Sequence, residues 1–308
     1  MKNPLESQAP FLPYRFLALD DERAGWEAAR VAILPVPYDA TTSYQPGCRF
    51  GPRAILDASR YVEEYDEELE VEPCDVGIYT CPEVEPVAGD PKAMLDRVAM
   101  LVSSLIGHGK TAVTLGGEHT LTRAAVEAHV AAHGNLTVLQ LDAHLDLRDT
   151  YHDSAFSHAC VMRRVWDVAP VVAVGARSCS SQEYRWLAER GGACFWAREA
   201  TGDAAWAEAI CSSLTKRVYV TIDLDVFDPA VMPAVGTPEP GGLDWPTVAL
   251  LLKTVAARRQ VVGFDIMELS PIPGLRAPEV LAAKLLYKMV GYLFFLNRGE
   301  NPQQRMTV

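Results

Sequence analysis

Residues 138 to 149, VLQLDAHLDLRD, constrain this chain more than any other stretch. Val138, Leu139 and Leu141 read as a buried strand, and it opens directly into Asp142, His144 and Asp146 at alternate positions. Alternate side chains of an extended backbone share one face, so these three converge on one point. VYVTIDLD at 218 to 225 repeats the device and ends in Asp223 and Asp225. One acid at a strand end is ordinarily a turn residue or a helix cap. Five acids and imidazoles in two phased clusters instead look like metal ligands.

The rest of the chain alternates strand and helix patterns. Strands are expected over 29–38, 111–117, 136–141, 171–178, 193–197, 218–225 and 260–269, and helices over 91–108, 122–133, 181–190, 203–214, 245–258 and 278–296, with shorter helical turns after Pro52 and through ACVMRRVW. Such alternation, with no disordered linker and no internal repeat, predicts one domain over residues 1–308: a three-layer α/β/α sandwich on a mostly parallel sheet. Residues 1–28 are expected to form a surface arm, and the acidic, Pro-rich segment 62–90 irregular structure at a sheet edge. In open parallel sheets ligands sit beyond the carboxyl ends of the strands. Glu118 and His119, the Asp142 cluster, the Asp223 pair and Glu268 all follow apolar strand cores at that end. The loop DATTSYQPGCRFGPRAI is long enough to suggest function.

Adding His119 makes four carboxylates and two imidazoles, too many ligands for one cation and a natural set for two. Carboxylate and imidazole without sulfur favour Mn²⁺ or a similar ion over a structural zinc or a calcium cage. Two divalent ions also cancel the mutual repulsion of four carboxylates, and a pair roughly 3.5–4 Å apart lowers the pKa of water towards neutrality. These residues read as a binuclear metallohydrolase. A formal net charge of -12 argues against a nucleic-acid partner and suits a cationic small substrate. Seven cysteines without a C-x-x-C pair, no signal peptide and no membrane span point to a reducing cytoplasm.

GGEH at 116–119, DAHLD at 142–146 and IDLDVFDP at 222–229, in this order, resemble the ureohydrolases, the family of arginase and agmatinase. The similarity extends through PYDATTSYQPGCRFGPRAI, FSHACVMRR, GTPEPGG and DIMELSP, from about residue 31 to 290. It implies two Mn²⁺ per subunit, one bound by His119, Asp142, Asp146 and Asp223, the other by Asp142, His144, Asp223 and Asp225. It further implies hydroxide attack on a guanidinium carbon and collapse of a tetrahedral intermediate to urea and an amine. Asp146 would also orient the nucleophile, Glu268 would pair with the guanidinium, and His158 would shuttle the proton to the leaving amine. Glu118 is expected to orient a ligand; Asp228 and Glu239 are as compatible with turn chemistry as with function, and His108, His129, His133 and His152 are read as surface or helix-end residues. The family's habit implies a homo-oligomer, a trimer or hexamer.

Arg148 and Asp149 follow the D-A-H-x-D stretch, and Ser178 and Ser180 stand where an arginase carries acids. An arginine-specific pocket is therefore not expected. GTPEPGG and FSHACVMRR look more like agmatinases, so the expected reaction converts agmatine to putrescine and urea. N1-aminopropylagmatine and guanidinobutyrate are the alternatives, the latter because its acidic tail suits Arg148. A binuclear phosphoesterase is disfavoured because Glu268 would repel phosphate. A non-catalytic homologue is disfavoured because all six ligands and His158 are present.

Overall fold

Runs of Val, Ile and Leu form the strands of one sheet. In the computed structural model, which describes residues 12–296, these are β1 (Val31–Val36), β2 (Ile78–Thr80), β3 (Thr111–Gly116), β4 (Thr137–Leu141), β5 (Val171–Val174), β6 (Ala193–Phe195), β7 (Arg217–Asp223) and β8 (Gln260–Met267). Every strand pair is parallel, and the order across the sheet is β2-β1-β3-β8-β7-β4-β5-β6. A parallel sheet needs both faces covered, which is why its central strands are apolar on both sides. The short helix α1 (Asp21–Ala24) precedes the sheet, and Val31, Ile33, Leu139, Leu141, Val220 and Ile222 enter the core beneath α2 (Gly51–Ser59), α7 (Ala204–Ser212), α8 (Trp245–Arg258) and α9 (Ala277–Phe295). Their neighbours Ala32, Leu34, Val138 and Tyr219 enter the opposite core, beneath α3 (Pro91–Gly107), α4 (Thr122–His133), α5 (Val161–Val165) and α6 (Ser181–Glu189). The period of two that marks a strand thus assigns residues to the two outer layers.

Helix starts follow local chemistry. Asp90, Asp203 and Asp244 each accept a hydrogen bond from the main-chain N–H three residues on, at 3.0, 2.8 and 2.9 Å, and Ser180 with Glu183 forms a reciprocal capping box. No helix among the described residues is long and apolar enough to cross a membrane.

Three expectations need correction. Part of the supposed arm is packed rather than superficial: Phe16, Leu17 and Leu19 are buried, while Leu12 and Tyr14 stay exposed. The Phe16 and Leu17 N–H groups donate to Thr80 Oγ1 (3.0 Å) and Ser59 Oγ (2.8 Å). These three apolar residues lack a helical period and so leave no signature in the sequence, and residues 1–11 lie outside the described region. Segment 62–90 does reach the sheet edge, but it contributes β2 there.

His129, expected at a helix surface, is buried on α4 with its Nδ1–H donating to Ala125 O at 2.8 Å and its ring 4.7 Å from that of Tyr219. Burial, with His133 beside it, lowers its pKa to about 4. A histidine depressed from its unfolded value of about 6.5 stabilises the fold fully above that pH and loses the contribution as pH falls towards 4, roughly 3 kcal/mol in all. Denaturant unfolding at pH 7 and pH 4 is expected to show wild type losing about that much more stability than His129→Leu. Equal losses would refute the assignment.

Candidate metal centre and active site

The strand order brings β3, β8, β7 and β4 side by side, and these are the four strands whose carboxyl ends carry the acids and imidazoles. After β3 the chain passes through Gly116 and Gly117 to Glu118 and His119. A Cβ at Gly116 would fall 1.9 Å from Met267 Sδ, and one at Gly117 would fall 1.9 Å from Tyr38 O. Only glycine admits this approach, which lets a tight turn carry His119 to the sheet axis.

His119 is fully buried and its Nε2 meets Thr221 Oγ1 at 2.9 Å. Its Nδ1 makes no well-formed hydrogen bond, although Asp142 Oδ2, Asp146 Oδ2 and Asp223 Oδ2 stand 3.1, 3.2 and 3.3 Å away. Beside this group, His144 Nδ1 lies 2.9 Å from Asp225 Oδ2 and 3.6 Å from Asp142 Oδ1. Donor atoms of His119, Asp142 and Asp223, and likewise those of Asp142, His144 and Asp225, fall within 4.8 Å of one another. Asp142 belongs to both groups.

Main-chain hydrogen bonds aim these carboxylates. Asp223 Oδ1 accepts from Asp225 N (2.9 Å) and Asp225 Oδ1 from Ala143 N (2.9 Å), which leaves each Oδ2 directed at an imidazole. Asp142 Oδ1 accepts from His144 N at 2.6 Å. Asp146 reaches the first group through a left-handed backbone, φ 52°, and Glu268 has φ 67°. Side chains other than glycine pay for such conformations in strain, and they gather at functional sites.

The acids outnumber their counter-charges. Burial, and the charges of Asp225 and Asp142, push Asp223 well above the ordinary carboxylate range, while burial and Asp142 raise Asp146 to about 6. Asp142 is also penalised by burial, but the neighbouring His119 and His144 imidazoles more than offset this and leave it lowered. Burial opposes a charge on His144, yet Asp225 and Asp142 raise it to about 12. Such a cluster calls for cations. Donor atoms around an octahedral ion with ~2.1 Å bonds stand about 3.0 Å apart, close to the spacing around His119 Nδ1. The donor set is carboxylate and imidazole, as a hard or borderline divalent ion prefers.

His158 Nδ1 lies 3.5 Å from Glu268 Oε1, its Nε2 is 3.0 Å from Ser43 Oγ, and its N–H donates to Thr41 Oγ1 at 3.0 Å. Burial disfavours the imidazolium, but Glu268 outweighs it and raises His158 to about 9. Glu268 Oε1 also accepts from His119 N at 2.7 Å, and burial of this carboxyl is outweighed by His158, so it is held below its usual range. A cavity of about 290 Å³ is lined by His144, Asp146, Asp223 and His158 together with Arg148, Tyr151, Ser178, Ser180 and Glu183.

The predicted metal ligands, His158 and Glu268 therefore lie together, with one difference in detail among the residues around them. Glu118 does not touch a ligand side chain: its carboxylate binds Thr41 N (2.6 Å) and Oγ1 (2.7 Å). Asp228 serves a turn, accepting from Ala230, Gly241 and Gly242 N at 3.0, 2.8 and 3.1 Å, whereas Glu239 places Oε1 3.9 Å from His144 Nε2. Sequence reasoning missed Thr41, Ser43, Thr221 and Arg177. Arg177 donates to the carbonyls of Asp225 (2.7 Å) and Glu239 (2.8 Å), tying the 237–242 loop to the end of β7. The unusual length of the 39–50 loop signalled a function there, but not which of its hydroxyls carry it.

A sequence model described as the Arginase family matches residues 29–291. The chain belongs to the arginase family. Among its arginase-family relatives, the N(1)-aminopropylagmatine ureohydrolase of Synechocystis sp. is 43% identical over 86% of this chain and 89% of that protein. The agmatinase of Pyrococcus horikoshii is 36% identical over 90% and 97%. The crystal structure of the agmatine ureohydrolase of Thermoplasma volcanium superposes with a TM-score of 0.84 at 30% identity, covering 94% of this chain and 97% of that one. The arginase-family match and the all-parallel sheet agree with the fold and family that the motifs implied.

Proposed function

We propose that this arginase-family hydrolase releases urea from a guanidine bearing an amine tail, with N1-aminopropylagmatine preferred over agmatine. The observation that carries the reading is the cavity itself, whose lining includes Asp146 and Asp223 of the carboxylate cluster and also Glu183. A substrate cationic at both ends matches that arrangement. Glu183 is fixed by Leu147 N (3.0 Å) and Ser180 N (2.8 Å). The name of the Synechocystis relative supports the longer polyamine, and the Pyrococcus and Thermoplasma proteins keep agmatine as the nearest second choice.

Two divalent ions, Mn²⁺ in our reading, fit the donors: one would be held by His119, Asp142, Asp146 and Asp223, the other by Asp142, His144, Asp223 and Asp225. When bound they supply Lewis acidity, which makes hydroxide available near neutral pH. Asp146, on the cavity wall, orients the attacking water. Glu268 keeps His158 protonated. The His158 imidazolium then gives its Nε2 proton to the nitrogen that leaves as the amine, and urea remains. Ser43, which lines the cavity and meets Nε2, keeps that proton directed.

One observation favours a second reading. Arg148 lines the cavity, 3.9 Å from Glu183 Oε2 and over the ring of Tyr151, and it would pair with the carboxylate of guanidinobutyrate. Urea release by Mn²⁺-loaded protein should be measured with aminopropylagmatine, agmatine, guanidinobutyrate and arginine in parallel. The expected kcat/KM is highest for aminopropylagmatine, by about 10-fold over agmatine if one added charge-assisted contact is made. Preference for guanidinobutyrate, lost in Arg148→Gln, would establish the second reading instead.

A further inference from the structure

Glu118 immediately precedes His119, yet its carboxylate joins neither donor group. It is fully buried and spends both oxygens on one residue, Thr41, accepting from the main-chain N–H at 2.6 Å and the hydroxyl at 2.7 Å. Thr41 Oγ1 in turn accepts from the His158 N–H at 3.0 Å. Two residues along the same loop, Ser43 Oγ stands 3.0 Å from His158 Nε2. One loop therefore grips His158 by both its main chain and its ring, and one buried carboxylate grips the loop.

The surroundings keep this tie short. Glu118 N donates to Tyr38 O at 2.8 Å and Gly117 N to Val36 O at 3.0 Å, so the loop and the GGEH segment lie backbone against backbone. Asp39 closes the base of the loop, accepting from Gly47 N at 2.9 Å and pairing with Arg49. Chemistry also fixes the direction of the chain. With both Glu118 oxygens acting as acceptors, the Thr41 hydroxyl must point its proton at the acid, and a lone pair is left for the His158 N–H.

We propose that Glu118, acting through Thr41, is a positioning residue for His158: the hydrogen-bonded chain Glu118–Thr41–His158 holds the imidazole where it can deliver its proton to the leaving amine. This rests on the proton-donor role proposed above for His158. It gives the GGEH stretch a second purpose beyond supplying His119, and it gives the hydroxyl-rich loop a stated one.

Thr41→Val keeps the shape and removes the hydroxyl, whereas Thr41→Ser retains it. In the full chain loaded with Mn²⁺, Thr41→Val is expected to lower kcat by about 10- to 100-fold with KM within about twofold and two ions still bound, the cost of misplacing a catalytic group by a fraction of an ångström. Thr41→Ser should recover most of the loss. In a His158→Asn background Thr41→Val should cost nothing more, because the group it positions is gone. A further independent loss in that background, or a Thr41→Val kcat within twofold of wild type, overturns the proposal. Failure of the ureohydrolase reading is read separately, in wild type, as absence of urea from every guanidine. The tie is then still decided by hydrogen exchange at the His158 amide, which needs no substrate. Exchange should quicken by about tenfold or more in Thr41→Val and Glu118→Gln but not in Thr41→Ser, and unchanged exchange in the first two overturns the assignment.

Discussion

Asp142→Asn is expected to abolish urea release, by on the order of 10³-fold or more, and to leave the protein unable to retain two ions through gel filtration. Asp142 lies in both clusters of donor atoms and, with Asp223, would serve both ions. Asparagine preserves the shape and can still accept from His144 N, but it removes the charge that two divalent ions would share. Asp225→Asn is the informative partner, because Asp225 belongs only to the group of Asp142 and His144. This variant should keep one ion bound at the His119 group while losing most activity. Metal analysis after desalting, with activity measured before and after chelator treatment and Mn²⁺ repletion, checks both. An Asp142→Asn protein that retained two ions and a tenth of wild-type activity would refute the metal assignment.

The second large effect concerns His158. His158→Asn is expected to lower kcat by about 10²- to 10³-fold, the usual worth of a positioned proton donor, with little change in KM or metal content. The pH dependence follows from the ion pair with Glu268. An imidazole raised to about 9 is protonated, and therefore competent as an acid, below that pH and loses competence above it. The kcat profile should fall on its alkaline side near pH 9. In Glu268→Gln the supporting charge is gone, so the same limb should move to lower pH. An unmoved alkaline limb would separate Glu268 from His158 and leave the proton donor elsewhere.

The DAHLD reading shows how far local pattern carries and where it stops. Alternation correctly directs Asp142 and His144 together, because the chain is still strand-like there, with His144 bridged to Ser178. Asp146 joins them for a different reason: its left-handed backbone turns it back to His119. Spacing pointed to Asp146, and the chain brings it beside His119 through a conformation that spacing did not foresee. Asp223 shows that one acid can serve a turn and also face the cluster. It caps the turn beginning at Leu224 with Oδ1 and presents Oδ2 to His119. The hydroxyls of half-buried Thr41 and buried Thr221 left no pattern to read, since a threonine that bonds across 77 or 102 residues looks like any other threonine in sequence.

What the sequence by itself determined is seven of the eight described strands, the chemistry at their ends, and the family to which that ordered set of motifs belongs. Apolar runs, helix caps and acid spacing are local properties, and local backbone geometry reads them out directly. Which strands become neighbours is not local. Buried parallel strands are apolar on both faces, so little in their residues distinguishes one partner from another. The tertiary structure alone placed β7 and β8 between β3 and β4. Packing of the crossover helices into two covering layers fixes that order, and it turns four strand ends scattered over some 150 residues into one site.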